Sequence, residues 1–293
     1  MKLGISPINW SNDDTDDIGG DVTFEEIVHQ MSKLKYEGCE IGNKFPKNGD
    51  YLNTYLSSFD IKPVGMWFDS YLTTESDTNL TIEKFKKCVQ FLNCLNAEVV
   101  IINEDTKSIF RKDFPIFDKN VKPIFNEETF KSVIQGLNKL YKIASDVGIR
   151  FVYHPHMGTG IQNFDEISYL MDNTDSSKIS LLLDTGHLYL ASIDPLKVIK
   201  KYGKRIKHVH LKDVREKVFL EAKKQNLSFL ECVKLGIFNV PSPSNLIDFP
   251  VILKSLQRLG YNHWFVVEAE QDPNKYSPVL YGKIAKKYLE QLL

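Results

Sequence analysis

The sequence predicts a closed (β/α)8 barrel, a TIM barrel that forms one α/β domain over residues 1–293. Eight short apolar runs alternate with segments of helical spacing, and this order indicates parallel strands joined by crossover helices. The length of 293 residues is close to the ~250 residues of a typical barrel of this kind. The main alternative, a doubly wound open sheet, should place a G-x-G-x-x-G turn after the first strand, and residues 4–9 (GISPIN) lack that turn.

The predicted strands are short apolar or β-branched runs. They cover residues 3–7, 38–41, 62–66, 98–102, 150–154, 179–184, 206–211 and 264–268. Residues 23–35 are the clearest helix, because their apolar side chains recur at spacings of three and four and fall on one face. Thr23 followed by Glu26 predicts a capping box at the start of this helix. Further helices are predicted at residues 81–95, 127–147, 195–202, 251–259 and 277–292.

The segment after the seventh predicted strand is longer than a simple connection. Residues 214–248 contain a charged helical piece, predicted at 216–235, and a Pro/Ser segment at 240–245. Long segments of this kind at the end of a barrel are usually functional. We therefore predict a lid-like insertion over one end of the barrel.

Composition and charge exclude several classes of protein. With 37 Lys+Arg against 38 Asp+Glu, the net charge is −1. This balance gives no excess of positive charge for binding nucleic acid or an anionic membrane. The first residues carry no apolar run of the length that a signal peptide needs, and no stretch approaches the ~20 apolar residues of a membrane span. The four cysteines form no C-x-x-C pair, which favours reduced thiols in a cytoplasmic protein.

Four of the predicted strands end in side chains that ligate metals. Active sites of these barrels lie where the strands end and the loops begin, and alternate residues of a strand share one face. The residues at these strand ends are His154 and His156, Asp184 and His187, His208, His210 and Lys212, and Glu268 and Glu270. A mixed set of imidazoles and carboxylates suits Mn²⁺, Co²⁺, Fe²⁺ or Zn²⁺, and the absence of thiolates argues against a structural zinc site. Such an ion polarises carbonyls and acidifies the adjacent C–H bond.

Other polar and aromatic residues near strand ends are candidates for substrate binding. Glu40 ends the second strand, where a buried carboxylate would orient a substrate hydroxyl or a ligand histidine. Asn9 and Trp10 follow the first strand, and the indole of Trp10 packs against a sugar-like face or fills the core. Trp67 follows the third strand and walls the pocket or fills its rim. Arg215 either clamps the substrate or pairs with a nearby glutamate.

Seven sequence motifs extend from one end of the chain to the other. They are GISPINWSNDD (4–14), CEIGNKFP (39–46), YHPHMGTGIQ (153–162), LLLDTGHLYLASIDP (181–195), RIKHVHLKDVR (205–215), FLECVKLGIFNVP (229–241) and VVEAEQDP (266–273). Through DTGH and HVHLKD the chain resembles the xylose-isomerase-like TIM-barrel superfamily. Through YHPHMGT, FLECVKLG and VEAEQDP it resembles, within that superfamily, the inosose dehydratase (2-keto-myo-inositol dehydratase) family of bacterial inositol catabolism.

The resemblance implies a metal-ligand set and a cofactor. By motif, the ligands are His154, Asp184, His210 and Glu268, and the metal is Co²⁺ or Mn²⁺, with glutathione as a further cofactor. Most members of the superfamily have Glu on the fifth strand, where this chain and the inosose dehydratases have His154. At residues 241–244 a turn such as PGDG is expected, and the sequence is PSPS.

The reaction that the resemblance implies is the dehydration of 2-keto-myo-inositol (scyllo-inosose) to 3D-(3,5/4)-trihydroxycyclohexane-1,2-dione. This reaction needs a base for the α-proton and an acid for the departing hydroxyl, and imidazole suits both roles at neutral pH. The candidates for these catalytic roles are His156, His187, Lys212 and Glu270. The candidates for contacts with the polyol are Asn9, Trp10, Glu40, Asn43, Trp67, His208 and Arg215.

Three alternatives share the predicted fold. A ketose isomerase or epimerase would use the same metal and proton abstraction, but the imidazole at the end of the fifth strand disfavours an epimerase, which typically needs two opposed carboxylates. An apurinic endonuclease would need a basic face for DNA. A non-catalytic polyol-binding barrel would not need the complete ligand set. We expect a small polyol ketone as the substrate and a homodimer or homotetramer as the assembly.

Overall fold

The computed structural model describes residues 2–293, in which eight parallel strands close into a barrel. The barrel strands are β1 (Lys2–Ile5), β2 (Gly38–Ile41), β3 (Lys62–Ser70), β4 (Val99–Glu104), β5 (Arg150–Tyr153), β6 (Ser180–Asp184), β7 (Ile206–Leu211) and β10 (Trp264–Val267). Around the barrel the order is β1, β10, β7, β6, β5, β4, β3 and β2, and β2 pairs with β1 to close it. All eight predicted strands are present, and the predicted fold class is confirmed.

Helices follow the strands and cover the outside of the barrel. They are α1 (Phe24–Leu34), α2 (Gly49–Ser57), α3 (Glu75–Cys94), α4 (Glu127–Ser145), α5 (Phe164–Asp172), α6 (Thr185–Leu190), α7 (Pro195–Tyr202), α8 (Glu216–Gln225), α9 (Phe229–Leu235), α10 (Phe249–Arg258) and α11 (Pro278–Leu289). The predicted capping box at α1 is confirmed, since the Thr23 hydroxyl accepts from the Glu26 backbone N–H at 3.2 Å and the Glu26 carboxylate accepts from the Thr23 N–H at 3.0 Å. The helices α2, α5 and α6 were not predicted.

The insertion, residues 214–248, differs from its prediction. The single helical piece predicted at 216–235 is two helices, because Asn226 adopts a left-handed conformation (φ 53°) that ends α8. Ser228 then starts α9 through a capping box with Glu231. The two short strands β8 (Asp213–Val214) and β9 (Phe238–Asn239) pair antiparallel and bring the end of the insertion back to the barrel.

Strand alternation separates the core from the site. On β7, Val209 and Leu211 point outward into the large cluster between strands and helices, and His208 and His210 take the alternate positions. Inside the barrel the apolar residues Val99, Ile101, Val152 and Leu182 form a small cluster with Trp67 packed against it. These apolar side chains fill the interior of the barrel, and the polar side chains lie above them, where the strands end. Among the described residues, no helix combines the length and the apolar character of a membrane span.

Candidate active site

Three of the four predicted metal ligands form one buried cluster. The ligand atoms of His154, Asp184 and His210 all lie within 4.8 Å of one another. Oδ2 of Asp184 is 3.4 Å from Nε2 of His154 and 3.5 Å from Nδ1 of His210. Glu268, the fourth predicted ligand, lies beside this cluster, with Oε2 3.1 Å from Nδ1 of His210. The ends of β5, β6, β7 and β10 thus bring these residues together, as the strand alternation predicts.

The unpaired atoms of this cluster fit a cation. Nδ1 of His154 lies 2.8 Å from the Pro155 carbonyl and must donate to it, which leaves the Nε2 lone pair directed at Asp184. Oδ2 of Asp184 and Nδ1 of His210 are buried and have no hydrogen-bond partner among the described residues. Buried polar atoms without partners are costly, and a divalent ion would satisfy both. Imidazole and carboxylate donors without thiolate match Mn²⁺, Co²⁺, Fe²⁺ or Zn²⁺.

Glu40 binds two histidines of β7. Its Oε1 lies 2.8 Å from Nε2 of His208 and 2.8 Å from Nε2 of His210. Of the two roles predicted for Glu40, orientation of a ligand histidine is the one that this geometry supports. His208 is fully buried, does not line the cavity described below, and has Glu40 as its partner where a substrate contact was predicted.

The Lys212 ammonium is buried between carboxylates. Nζ contacts Glu268 Oε1, lies 2.9 Å from Glu270 Oε1 and 3.5 Å from Asp184 Oδ2, and donates to Nε2 of His187 at 3.3 Å. Burial disfavours its charge, but the attraction of these carboxylates outweighs burial and raises the pKa of Lys212. Lys212 therefore stays a charged ammonium and supplies a fixed positive charge among these carboxylates rather than acting as a base.

The close approach of Lys212 depends on the DTGH motif. Its aliphatic carbons would lie 2.7–2.9 Å from a Cβ atom at position 186, so only glycine fits there. The Thr185 hydroxyl donates to the Lys212 carbonyl at 2.7 Å and accepts from its N–H at 3.0 Å. Thr185 and Gly186 together fix the backbone and the aliphatic part of the Lys212 side chain.

His156 and His187 form a second cluster with Glu270. Their ring centroids lie 3.9 Å apart, and Nε2 of His187 is 3.6 Å from Oε1 of Glu270. Nδ1 of His156 donates to the Met157 carbonyl at 2.9 Å, so its Nε2 carries the lone pair. Burial, followed by the neighbouring positive charges, lowers the pKa of both imidazoles. Both rings are therefore neutral at physiological pH.

Aromatic rings cover these histidines. Trp67 packs edge-on against His154 and His156 at centroid distances of 5.3 and 5.5 Å. Phe229 and Phe238 of the insertion lie 5.7 and 5.2 Å from His187. The insertion therefore covers the His156–His187 cluster and limits the access of water to it.

A cavity of about 370 Å³ opens above the two clusters. Of the predicted residues it is lined by His154, His156, His187, His210, Glu268, Glu270, Glu40, Asn43 and Trp67. It is also lined by residues that were not predicted, which include Asp13, Asp14, Asp69 and Arg111. Asp13 and Asp14 end the motif at residues 4–14, a few residues beyond Asn9 in the loop after β1, and this position in the motif could have indicated them. Arg111 lies in an irregular loop that carries no such signal.

Besides His208, three residues predicted to contact the substrate do not line this cavity and have partners elsewhere. The Asn9 amide donates to the Ser6 and Val267 carbonyls at 2.7 and 3.2 Å and ties the end of β1 to β10. Trp10 is buried in the core, where its indole N–H donates to Gln30. Arg215 braces the insertion, with hydrogen bonds to the carbonyls of residues 236 and 238.

Proteins named inosose dehydratase resemble this chain over its whole length. It is 43% identical over 292 residues to the inosose dehydratase of Geobacillus thermodenitrificans (strain NG80-2), which covers 99% of this chain and 97% of that protein. It is 41% identical over 293 residues to the inosose dehydratase of Mesomycoplasma hyopneumoniae (strain 7448), covering 100% and 96%. A protein of the same name from Clostridium tetani is 42% identical over 292 residues, covering 99% and 97%.

Solved structures share the fold at low sequence identity. The IolI protein with a bound zinc atom superposes with a TM-score of 0.74 at 18% identity, covering 100% of this chain and 98% of that one. The probable 3-DHS dehydratase AsbF from Bacillus anthracis has a TM-score of 0.74 at 14% identity, covering 99% of each chain. The family model described as "xylose isomerase-like TIM barrel" matches residues 28–290. The chain therefore belongs to the xylose isomerase-like TIM barrel family and, within it, groups with the proteins named inosose dehydratase.

Proposed function

We propose that this chain is an inosose dehydratase, a metal-dependent hydro-lyase that converts 2-keto-myo-inositol to 3D-(3,5/4)-trihydroxycyclohexane-1,2-dione. The observation that carries the proposal is the juxtaposition of two buried clusters, one of metal-ligand type (His154, Asp184, His210) and one of proton-transfer type (His156, His187, Glu270). Relatives of the same name at 41–43% identity support the substrate. A cyclic polyol ketone requires both clusters, because its α-proton is acidic only when the ketone is polarised.

The residues that would hold the cation are His154, Asp184, His210 and Glu268. A bound Mn²⁺ or Co²⁺ would polarise the ketone of the substrate and acidify the neighbouring C–H bond. The choice of these two ions is supported by the donor set and by the family resemblance. We include no glutathione site, because nothing in the described residues identifies one.

His156 is the base in this proposal. It lines the cavity, it is neutral, and its Nε2 lone pair is free because Nδ1 donates to the Met157 carbonyl. His187 is less suited, since its Nε2 already accepts from Lys212. A general base positioned in this way is worth about 10²–10⁴-fold in rate.

The departing hydroxyl needs a proton, and Lys212 with Glu270 and His187 forms the donating side. Lys212 stays charged because three carboxylates surround it, and it contacts both Glu270 and His187, which line the cavity. The hydroxyl leaves as water with one proton from this group, and the proton that His156 takes from the α-carbon restores the group before the next turnover. Phe229 and Phe238 exclude bulk water from this side, which keeps the local electrostatic interactions strong.

The experiment is a metal-replacement assay with scyllo-inosose, in which the ultraviolet absorbance of the dione is followed. Enzyme treated with a chelator is assayed alone and after addition of Mn²⁺, Co²⁺, Mg²⁺ or Zn²⁺. Asp184→Asn removes the central ligand, and Asp165→Asn, an exposed position on α5, is the matched control. We expect Mn²⁺ or Co²⁺ to restore dione formation in wild type and in the control, and not in Asp184→Asn.

Two results would contradict the proposal in different ways. If metal binds and no dione forms, the chain is an isomerase or epimerase, and ketoses should then be tested for turnover. If no divalent metal binds to purified protein in a dialysis measurement, the assignment of the ligand cluster fails.

A further inference from the structure

We propose that Arg111, held by Asp14 and Asp69, determines substrate specificity by binding the ring hydroxyls that lie across the cavity from the metal-ligand cluster. This inference rests on the proposed function and names residues for the recognition of the substrate, which the two clusters described above do not supply. The ligand that it implies is an uncharged cyclic polyol.

The topology places this group opposite the ligands. The metal-ligand cluster is built on β5, β6, β7 and β10, which are consecutive around the barrel. Asp14 lies in the loop after β1, Asp69 on β3, and Arg111 in the loop after β4. Both groups line the same cavity. A ring that binds the ligand cluster through its ketone therefore presents its far hydroxyls to Arg111 and its carboxylates.

The guanidinium is held in place by three carboxylates, two from loops and one from β3. Its Nε donates to Asp14 at 2.6 Å, Nη1 to Asp105 at 2.7 Å, and Nη2 to Asp69 at 3.0 Å. The Arg111 side chain remains 32% exposed, and that of Asp69 remains 30% exposed. Arg111 is therefore fixed in position and still accessible from the cavity, which is the state that a binding residue requires.

The chemistry of the group matches vicinal hydroxyls. A hydroxyl donates one hydrogen bond and accepts others, so it pairs best where donors and acceptors alternate. The two N–H donors of Arg111 that these carboxylates leave free, with the remaining lone pairs of Asp14 and Asp69, supply this alternation. Three carboxylates around one guanidinium leave an excess of negative charge, which disfavours a phosphorylated ligand.

Arg111 also reaches the two clusters through neighbouring side chains. Asp69 accepts from the Trp67 indole N–H at 2.6 Å, and Trp67 packs on His154 and His156. The guanidinium lies 4.4 Å from the ring centroid of Phe110, which packs against His156 at 4.6 Å. A purely structural role for Arg111 would therefore alter kcat or metal affinity, whereas a role in binding hydroxyls alters KM.

The experiment compares two substrates on wild type, Arg111→Met and Arg111→Lys. The substrates are scyllo-inosose and its analogue without the hydroxyl on the ring carbon opposite the ketone. Arg258→Met, an exposed position on α10, is the control. We expect Arg111→Met to raise KM for scyllo-inosose about 10- to 100-fold, the effect of losing hydrogen bonds to a charged group, with kcat changed less than about threefold. Arg111→Lys keeps the positive charge but lacks the planar array of N–H donors, and it should raise KM by a smaller factor.

The deoxy analogue separates recognition from structure. In wild type its KM should be raised about as much as by Arg111→Met, and in Arg111→Met the two substrates should have equal KM. An unchanged KM in Arg111→Met, or a loss of kcat together with loss of metal affinity, overturns the inference. If wild type forms no dione, the proposed function fails, and calorimetric binding of myo-inositol to the metal-loaded proteins then tests the inference alone. Equal affinities, or no binding to wild type, overturn it.

Discussion

A single carboxylate oxygen, Oε1 of Glu40, contacts Nε2 of both His208 and His210 at 2.8 Å. Burial alone would raise the pKa of Glu40, but the attraction and hydrogen bonds of the two histidines outweigh it and lower the pKa. The carboxylate therefore stays ionised and fixes His210 with its proton on Nε2. This leaves Nδ1 of His210 directed at Asp184 and Glu268, as a metal ligand must be.

Glu40→Gln should weaken metal binding without removing a ligand. The glutamate charge orients His210 and increases the basicity of its imidazole, and the amide of glutamine lacks this charge. Loss of such a partner typically costs 10–100-fold in metal affinity. Metal affinity measured by competition with a chromophoric chelator checks this expectation. Glu25→Gln on the exposed face of α1 is the control. Equal affinities for Glu40→Gln and wild type would mean that His210 is oriented by its other contacts.

Lys212→Met should separate catalysis from metal binding. The ammonium lies beside Asp184 and Glu268, so its removal takes a positive charge away from the ligands and should leave metal affinity equal or higher. Turnover should fall about 10²–10⁴-fold, because the proton-donating side is lost. The measurements are the metal titration and the dione assay, with circular dichroism to verify folding.

Lys139→Met, an exposed position on α4, is the matched control. If Lys212→Met loses metal affinity and turnover by the same factor, Lys212 acts through the ligand cluster and is not part of the proton path.

Periodicity explains why the barrel and the two clusters could be predicted. Successive side chains of a strand point to opposite faces of the sheet. His208 and His210, two residues apart, therefore had to share a face once β7 was recognised. Parallel strands in a barrel also end at the same rim, which brought His154, Asp184 and Glu268 together. These properties depend on local pattern, and local pattern is present in the sequence.

The sequence could not identify Arg111 or predict the partners of Arg215. The directions of both side chains depend on contacts between residues that are distant in sequence. The loop that carries Arg111 is held by hydrogen bonds from the Ile109 N–H to the Gly158 carbonyl and from the Ile116 N–H to the Leu227 carbonyl. No spacing in the loop itself predicts these pairs. The break between α8 and α9 was different, since Ser228 followed by Glu231 is a capping box that was present in the sequence and missed.

Arg215→Met should loosen the insertion without touching the ligand cluster. Arg215 donates to the carbonyls of residues 236 and 238 and, at 2.8 Å, to Gln271, and its guanidinium packs 3.8 Å from the ring centroid of Tyr276. Loss of these bonds displaces Phe238 from His187 and admits water. We expect lower kcat with unchanged metal affinity, and faster cleavage of the insertion in limited proteolysis. The same cleavage rate as Arg258→Met would show that other contacts hold the insertion.

Glu104→Gln tests a buried carboxyl outside the site. Glu104 ends β4, is fully buried, and accepts from the N–H groups of Leu72 and Thr106 at 3.0 and 3.2 Å. Burial raises the pKa of Glu104 to about 7 from an ordinary value of 4.5. The folded protein thus holds a proton that the unfolded chain has lost across this interval. The contribution of Glu104 to the free energy of unfolding is therefore complete below the lower pKa and declines as pH rises toward the upper one.

A shift of this size corresponds to on the order of 3 kcal/mol. The glutamine does not titrate, so the free energy of unfolding of wild type minus that of Glu104→Gln should fall by about this amount as pH rises from about 4.5 to about 7, and stay constant above. Urea unfolding of both metal-free proteins across this range measures the difference, in which the other titrating groups cancel. Glu83→Gln, exposed on α3 and paired only with Lys86, is the control. A difference between wild type and Glu104→Gln that does not change with pH would mean that Glu104 is ionised in the fold, because the two backbone N–H groups then compensate its burial.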